Sequence, residues 1–214
     1  MRLAPPDLSA PLQPVEDIVA LLRADRQLTE LSIEDADAAG VQAKAVSIAE
    51  SHLVRATFAQ AVLEQLQIMD CRLENCDLTA AKLAASSWRR IEIRGSRCSG
   101  IQMQTSVLKD VYFKGCKLDL ANLRFSKLEN VIFEDCIVSE LDMYSATLKD
   151  VSFINCDIDQ VEFSDAKLTR VDISQSHIVS LNGVRSLAGL HISSEQLIQI
   201  APILAANLGI IVKA

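Results

Sequence analysis

Every fifth residue from Ile48 to Ile178 is apolar, with no slip in register. The series passes through Phe58, Leu73, Trp88, Cys98, Met103, Phe113, Leu123, Phe133, Met143, Phe153 and Phe163. Two residues before each member lies a second, mostly small residue, such as Cys71, Ala81, Ser86, Ser96, Cys116, Ala121 or Cys136. The remaining positions of each five are mostly polar. A helix repeats every 3.6 residues and a strand every 2, so neither explains a period of five. A chain that lays one side of a square per five residues does. Four sides close a turn of twenty residues, and the next turn stacks on it at roughly 4.8 Å, the spacing of paired strands.

Three segments display that longer repeat: LKDVYFKGCKL, LENVIFEDCIV and LKDVSFINCDI, beginning at Leu108, Leu128 and Leu148. Stacking predicts columns of Val111, Val131, Val151 and Val171, and of Phe113, Phe133, Phe153 and Ile173. It predicts a column of Cys116, Cys136, Cys156 and Ser176 on the next side. The coil is expected over residues 26–183. Its weakest part is Ala38–Ala45, where the central residues Ala38 and Ala43 are small.

The ends break the pattern. Within residues 1–25, Val15, Ile18, Val19 and Leu22 recur at helical spacing behind Pro14, with Glu16 and Asp17 in the first turn. This predicts a short helix covering the open end of the first coil. Within residues 184–214, Ser193 and Gln196 fit a capping box, and Leu197, Ile198, Ile200, Ile203, Leu204 and Leu208 follow. Pro202 is expected to kink or split this helix and Gly209 to end it. The apolar tail Ile210, Ile211 and Val212 adds more apolar surface than capping one narrow coil requires.

The fivefold pattern resembles the pentapeptide-repeat proteins, whose motif is a small residue, Asp or Asn, Leu and two variable residues. The stretch ANLRF (Ala121–Phe125) matches fully, and CDLTA (Cys76–Ala80) and AKLTR (Ala166–Arg170) closely. The resemblance covers roughly residues 28–181. It implies an all-β solenoid, a right-handed quadrilateral β-helix. Several such proteins dimerise through a C-terminal helical segment, which this end resembles. It implies a homodimer here, through Leu197, Ile200, Ile203, Leu204, Leu208, Ile210 and Ile211. Some members mimic B-DNA in size and charge, bind DNA gyrase, and give quinolone resistance or toxin immunity.

Charge narrows these implications. The net charge is −7, which disfavours general nucleic-acid binding. Asn122, Asp142 and Glu162 are expected to stack on one side, with Asp119, Glu140, Asp157, Asp159 and Asp165 on other outward positions. A DNA mimic would use such acids as a continuous field. Residues 82–109, however, carry six bases and one acid, and the belt Arg89, Arg90, Arg94 and Arg97 interrupts the acidic surface. Tyr112 and Ile132 are expected to stack outward, near Ile154, while Phe125 and Tyr144 fall outward on another side. Stacked apolar residues on a solenoid suit a protein partner.

Chemistry-bearing motifs are sparse. The six cysteines fall on inward positions and lack the paired spacing of a zinc site. His52, His177 and His191 are far apart, without a nucleophile beside them, and no Gly-rich phosphate loop is present. The expectation is therefore no enzyme, no cofactor and no metal. No apolar run reaches the roughly 18 residues of a membrane span, the first residues lack a secretory pattern, and the cysteines show no disulfide framework. The chain reads as cytoplasmic. Its leading function is a protein-interaction scaffold, and its second a gyrase-binding DNA mimic.

Overall fold

A computed structural model describes residues 3–24, 27–207 and 209–212 of the chain. They form a parallel β-solenoid of about nine turns, with two α-helices, α1 (Ile18–Ala24) and α2 (Ser194–Asn207). Strand partners stand twenty residues apart in register, from Gln27 opposite Ser47 through Val111 opposite Val131 to Ser152 opposite Asp172.

The backbone explains the period. Each side of the square is a short extended segment, and the residue at its end turns the corner. Every fifth residue from Glu30 to Arg170 has a positive φ. This left-handed conformation suits Gly, Asn and Asp, and costs other side chains roughly 1–2 kcal/mol. Thirteen of those 29 corners are Gly, Asn or Asp. The others depend on the coil around them to hold the strained turn.

We number the sides by their central residues. The first is centred on Ile68, Trp88 and Leu108, the second on Ile93, Phe113 and Phe133, the third on Leu78, Cys98 and Leu118, and the fourth on Leu83, Met103 and Leu123. All of these are buried. Phe113, Phe133 and Phe153 stack with ring centroids 4.9 and 4.7 Å apart and planes within 10°. Trp88 is the largest buried side chain, and its indole N–H donates to Ser86 Oγ at 2.9 Å.

The small inward residues do more than save space. The Cys76 N–H donates to Ser96 Oγ at 3.0 Å, Cys116 N–H to Cys136 Sγ at 3.4 Å, and Cys156 N–H to Ser176 Oγ at 3.1 Å. On the first side, the Ser86 and Ser106 N–H groups donate to Ser106 and Ser126. Each of these inward hydroxyls and thiols thus accepts a buried amide of the preceding coil, and the Ser106 N–H shares its bond with Met103 O at 3.2 Å.

Both ends depart from expectation in detail. Asp17 lies outside α1 as its cap, its Oδ1 accepting the Ala20 N–H at 2.9 Å. Gln13–Pro14 form a strand beside Leu31–Ser32, so Pro14 belongs to the sheet and not to a helix start. Ahead of it, the extension runs back along the outside of the coil. Leu3 to Pro6 line a shallow cavity together with Ile91, Glu92, Asp110 and Tyr112, and the Asp7 N–H donates to Asp70 Oδ1 at 3.1 Å.

At the other end α2 is continuous, and Pro202 neither splits nor ends it. The capping box forms, with the Gln196 N–H donating to Ser193 Oγ at 3.1 Å and the Ser193 N–H to Gln196 Oε1 at 2.8 Å. Gly209, at φ 72°, ends the helix through bonds from its N–H to Ala206 O and from the Ile210 N–H to Ala205 O.

Candidate protein-interaction surfaces

The interior holds the thiols and the exterior holds the charge, so the outer sides are where this molecule can meet another. All six cysteines are free and buried. Burial pushes the Cys71 thiol up to about 12. Hydrogen bonding to Cys116, and then burial, push Cys136 up to about 12. Such groups hold almost no thiolate near neutral pH, and thiolate is the reactive form. Among the described residues, no group of His, Cys, Asp and Glu is arranged to hold a metal ion.

The predicted acidic column assembles: Asn122, Asp142 and Glu162 pair in sequence on the fourth side. Its carboxylates are already occupied by the fold, however. Asp142 Oδ1 accepts the Tyr144 N–H at 2.9 Å and its Oδ2 accepts Arg124 Nη1 at 2.9 Å. Glu162 Oε1 accepts the Ser164 N–H at 2.6 Å. This is the local reason for Asp or Asn ahead of the central residue, since the side chain satisfies an amide two residues on. On the third side, Asp119 accepts from Ser99 Oγ at 2.7 Å and Asp159 from Ser180 Oγ at 2.8 Å. Asp157 stands outward, 3.7 Å from His177 Nδ1.

The arginine belt is largely neutralised. Arg90 grips Asp70 through Nε and Nη2. Burial alone would push the Asp70 carboxyl up, but the bonds from Arg90 and the Asp7 N–H outweigh it and hold the group below the usual range. Arg94 and Arg72 both bond Glu92. Glu92 is likewise held low, because its two arginines outweigh its burial. Arg89 and Arg97 remain exposed.

Tyr112 and Ile132 face one another in register as expected, but both are half-buried. The Tyr112 hydroxyl donates to Glu134 at 2.8 Å, and the tyrosine lines a cavity shared with Leu3–Pro6 of the extension. Of the expected dimer residues, Leu197, Ile210 and Ile211 are exposed and Ile203 half-buried. Ile200 is a correction: it is 4% exposed and packs into the coil's core, because Gln196, Ile200 and Leu204 form the face of α2 turned toward the last turn. Leu208 lies outside the described residues.

One feature escaped the sequence reading. Corner Asp35 bonds Arg55, Asp70 bonds Arg90, Asp110 bonds Asn130, Asp135 bonds Asn155, and Asp150 bonds Arg170. Each pair joins adjacent coils, the pairs of Asp70, Asp110 and Asp150 along one edge and those of Asp35 and Asp135 along the next. The signal was present as an Asp at a corner with Arg or Asn twenty residues later.

These repeated corners and inward ladders define the class: the chain belongs to the pentapeptide-repeat family. The profile described as "Pentapeptide repeats (8 copies)" matches residues 71–110 and the "Pentapeptide repeat region" profile matches residues 106–182, which together span more than half of the sequence. Among solved structures, the chain is similar to HetL, a pentapeptide repeat protein involved in heterocyst differentiation regulation from the cyanobacterium Nostoc sp. strain PCC 7120. The identity is 14% over 84% of this chain and 98% of that one, with a TM-score of 0.43. It is also similar to a trypsin-treated variant of QnrB1, a plasmid-mediated fluoroquinolone resistance protein. That match has 20% identity over 96% of this chain and 100% of the other, with a TM-score of 0.34. A pentapeptide repeat protein of the Arabidopsis thaliana thylakoid lumen matches at 13% identity over 86% of this chain and 80% of that one, with a TM-score of 0.26. No curated protein matches the sequence.

Proposed function

We propose that this protein is a non-enzymatic interaction scaffold that presents the outer sides of its coil to a protein partner. The observation that carries this reading is the set of large apolar side chains left in water on otherwise polar sides: Val107, Leu120, Phe125, Ile137 and Val179. The apolar, closely packed core adds to it, because a solenoid presents its extended outer sides to a partner. The six free thiols favour a reducing, cytoplasmic setting. We read the exposed Leu197, Ile198, Ile210 and Ile211 as a homodimer contact. A monomer by light scattering at micromolar concentration removes that part.

A second reading, a gyrase-binding DNA mimic, is favoured by one observation. Pairing of Arg90 and Arg94 with Asp70 and Glu92 removes much of the basic interruption of the acidic surface. Supercoiling by purified DNA gyrase, titrated with this protein with and without a quinolone, separates the two. The scaffold reading expects no effect. Inhibition or drug protection at micromolar protein favours mimicry instead.

A further inference from the structure

Among the positive-φ corners described, only Leu120 and Phe125 are large apolar residues. They stand at the two ends of the fourth side of one coil, with φ of 56° and 58°. They are 56% and 51% exposed. The turn itself does not call for them, since Gly, Asn or Asp would make these corners with less strain and leave less apolar surface in water. Phe125 is also held still. Its ring meets Tyr144 edge-on with centroids 5.6 Å apart, and the Arg124 guanidinium lies 4.4 Å from the Tyr144 centroid and 5.7 Å from that of Phe125. Asp142 fixes Arg124 in turn. An immobilised aromatic ring loses little freedom on contact, which favours its use as an anchor.

The surroundings state the partner's charge. Residues 136–145 and 156–165, the third and fourth sides of the next two coils, hold six acids and no Lys or Arg. Glu140, Glu162 and Asp165 enter no ion pair among the described residues.

We propose that Leu120, Phe125 and Tyr144 form a docking site for a basic segment of a partner protein that carries an aromatic or aliphatic anchor. The anchor packs on the Phe125 ring and Leu120, and the segment's Lys and Arg side chains lie over Glu140, Glu162 and Asp165. This rests on the scaffold reading and gives it a place and a partner chemistry. Phosphate-rich ligands are repelled by the same acids. Charge attraction alone would leave the two apolar corners without a use.

The test uses two fluorescent peptides of equal length and positive charge, one with Trp and Leu anchors and one with Ser in their place. Binding to the full chain is followed by anisotropy. The anchored peptide is expected to bind about tenfold more tightly. Phe125→Asn and Leu120→Asn should each weaken it about tenfold, and Leu120→Asn should also raise the melting temperature by about 2–4 °C, as corner strain is relieved. Val107→Ser, on the first side, should change neither. Equal affinity of the two peptides, or unchanged binding by Phe125→Asn, overturns the proposal. If only substitutions on another side abolish binding, this site fails and the scaffold reading stands. If neither peptide binds, the site also fails. Self-association of the free chain that Phe125→Asn abolishes assigns the patch to a second copy and overturns the basic-segment proposal.

Discussion

A corner aspartate illustrates how much one residue carries. Asp70 has a side chain only 5% exposed and depends on Arg90 twenty residues later. Removing one partner of a buried pair leaves an uncompensated charge, so Arg90→Ala should cost about 3 kcal/mol. Because the folded-state Asp70 carboxyl is held low, its contribution is present above the unfolded carboxylate value near ~4 and lost as pH falls through the folded value. The deficit should therefore be largest near neutral pH and shrink in acid, where Asp70 becomes a neutral hydrogen-bonded group. Denaturant melts of both proteins at several pH values check this, and a deficit that does not change with pH would assign the loss to packing of the arginine stem. The side chains of Asp142 and Glu162 also serve the fold first, since each satisfies a backbone amide before it can meet a partner.

Among elements, α2 shows how an end is closed. The last turn would present backbone carbonyls to a buried helix face. Gln196, only 5% exposed, donates its side-chain N–H groups to Ile173 O at 2.8 Å and Ser176 O at 2.7 Å. Its carbonyl accepts the Ser193 N–H. One residue therefore caps its own helix and ties that helix to the coil. Gln196→Ala leaves these groups unpaired and should cost about 2–3 kcal/mol. The loss should appear as faster hydrogen exchange across α2, with the central coils still protected. Equal acceleration in the central strands would mean that α2 and the coil open as one unit. The capping box was legible because Ser193 and Gln196 lie three residues apart. Their attachment to Ile173 and Ser176 was not, because it spans the fold.

For the whole molecule, the question is how far coils support one another. A solenoid transmits stability only between neighbours. Phe133 stands between Phe113 and Phe153, so Phe133→Ala removes two ring contacts and should cost about 3–5 kcal/mol. Trp88 is the only tryptophan and lies on the side of Phe113 away from Phe133 along the coil, so it reports at a distance. If the coils unfold together, Trp88 fluorescence and far-ultraviolet ellipticity should shift by the same amount. A Trp88 midpoint that does not move would show that the two halves of the coil unfold independently.

What the sequence determined by itself was the interior. One large and one small inward residue per side is a local demand repeated along the chain, so the fivefold register and the Phe and Cys columns could be read without coordinates. Tertiary structure decided the exterior. Whether Arg90 is a free cation or the partner of Asp70, whether Ile200 faces outward or into the core, and where Leu3–Pro6 lie all depend on residues brought together across coils. The physical reason is that burial tolerates little choice at each inward position, whereas an outward side chain is free to take whichever partner the stacking places beside it.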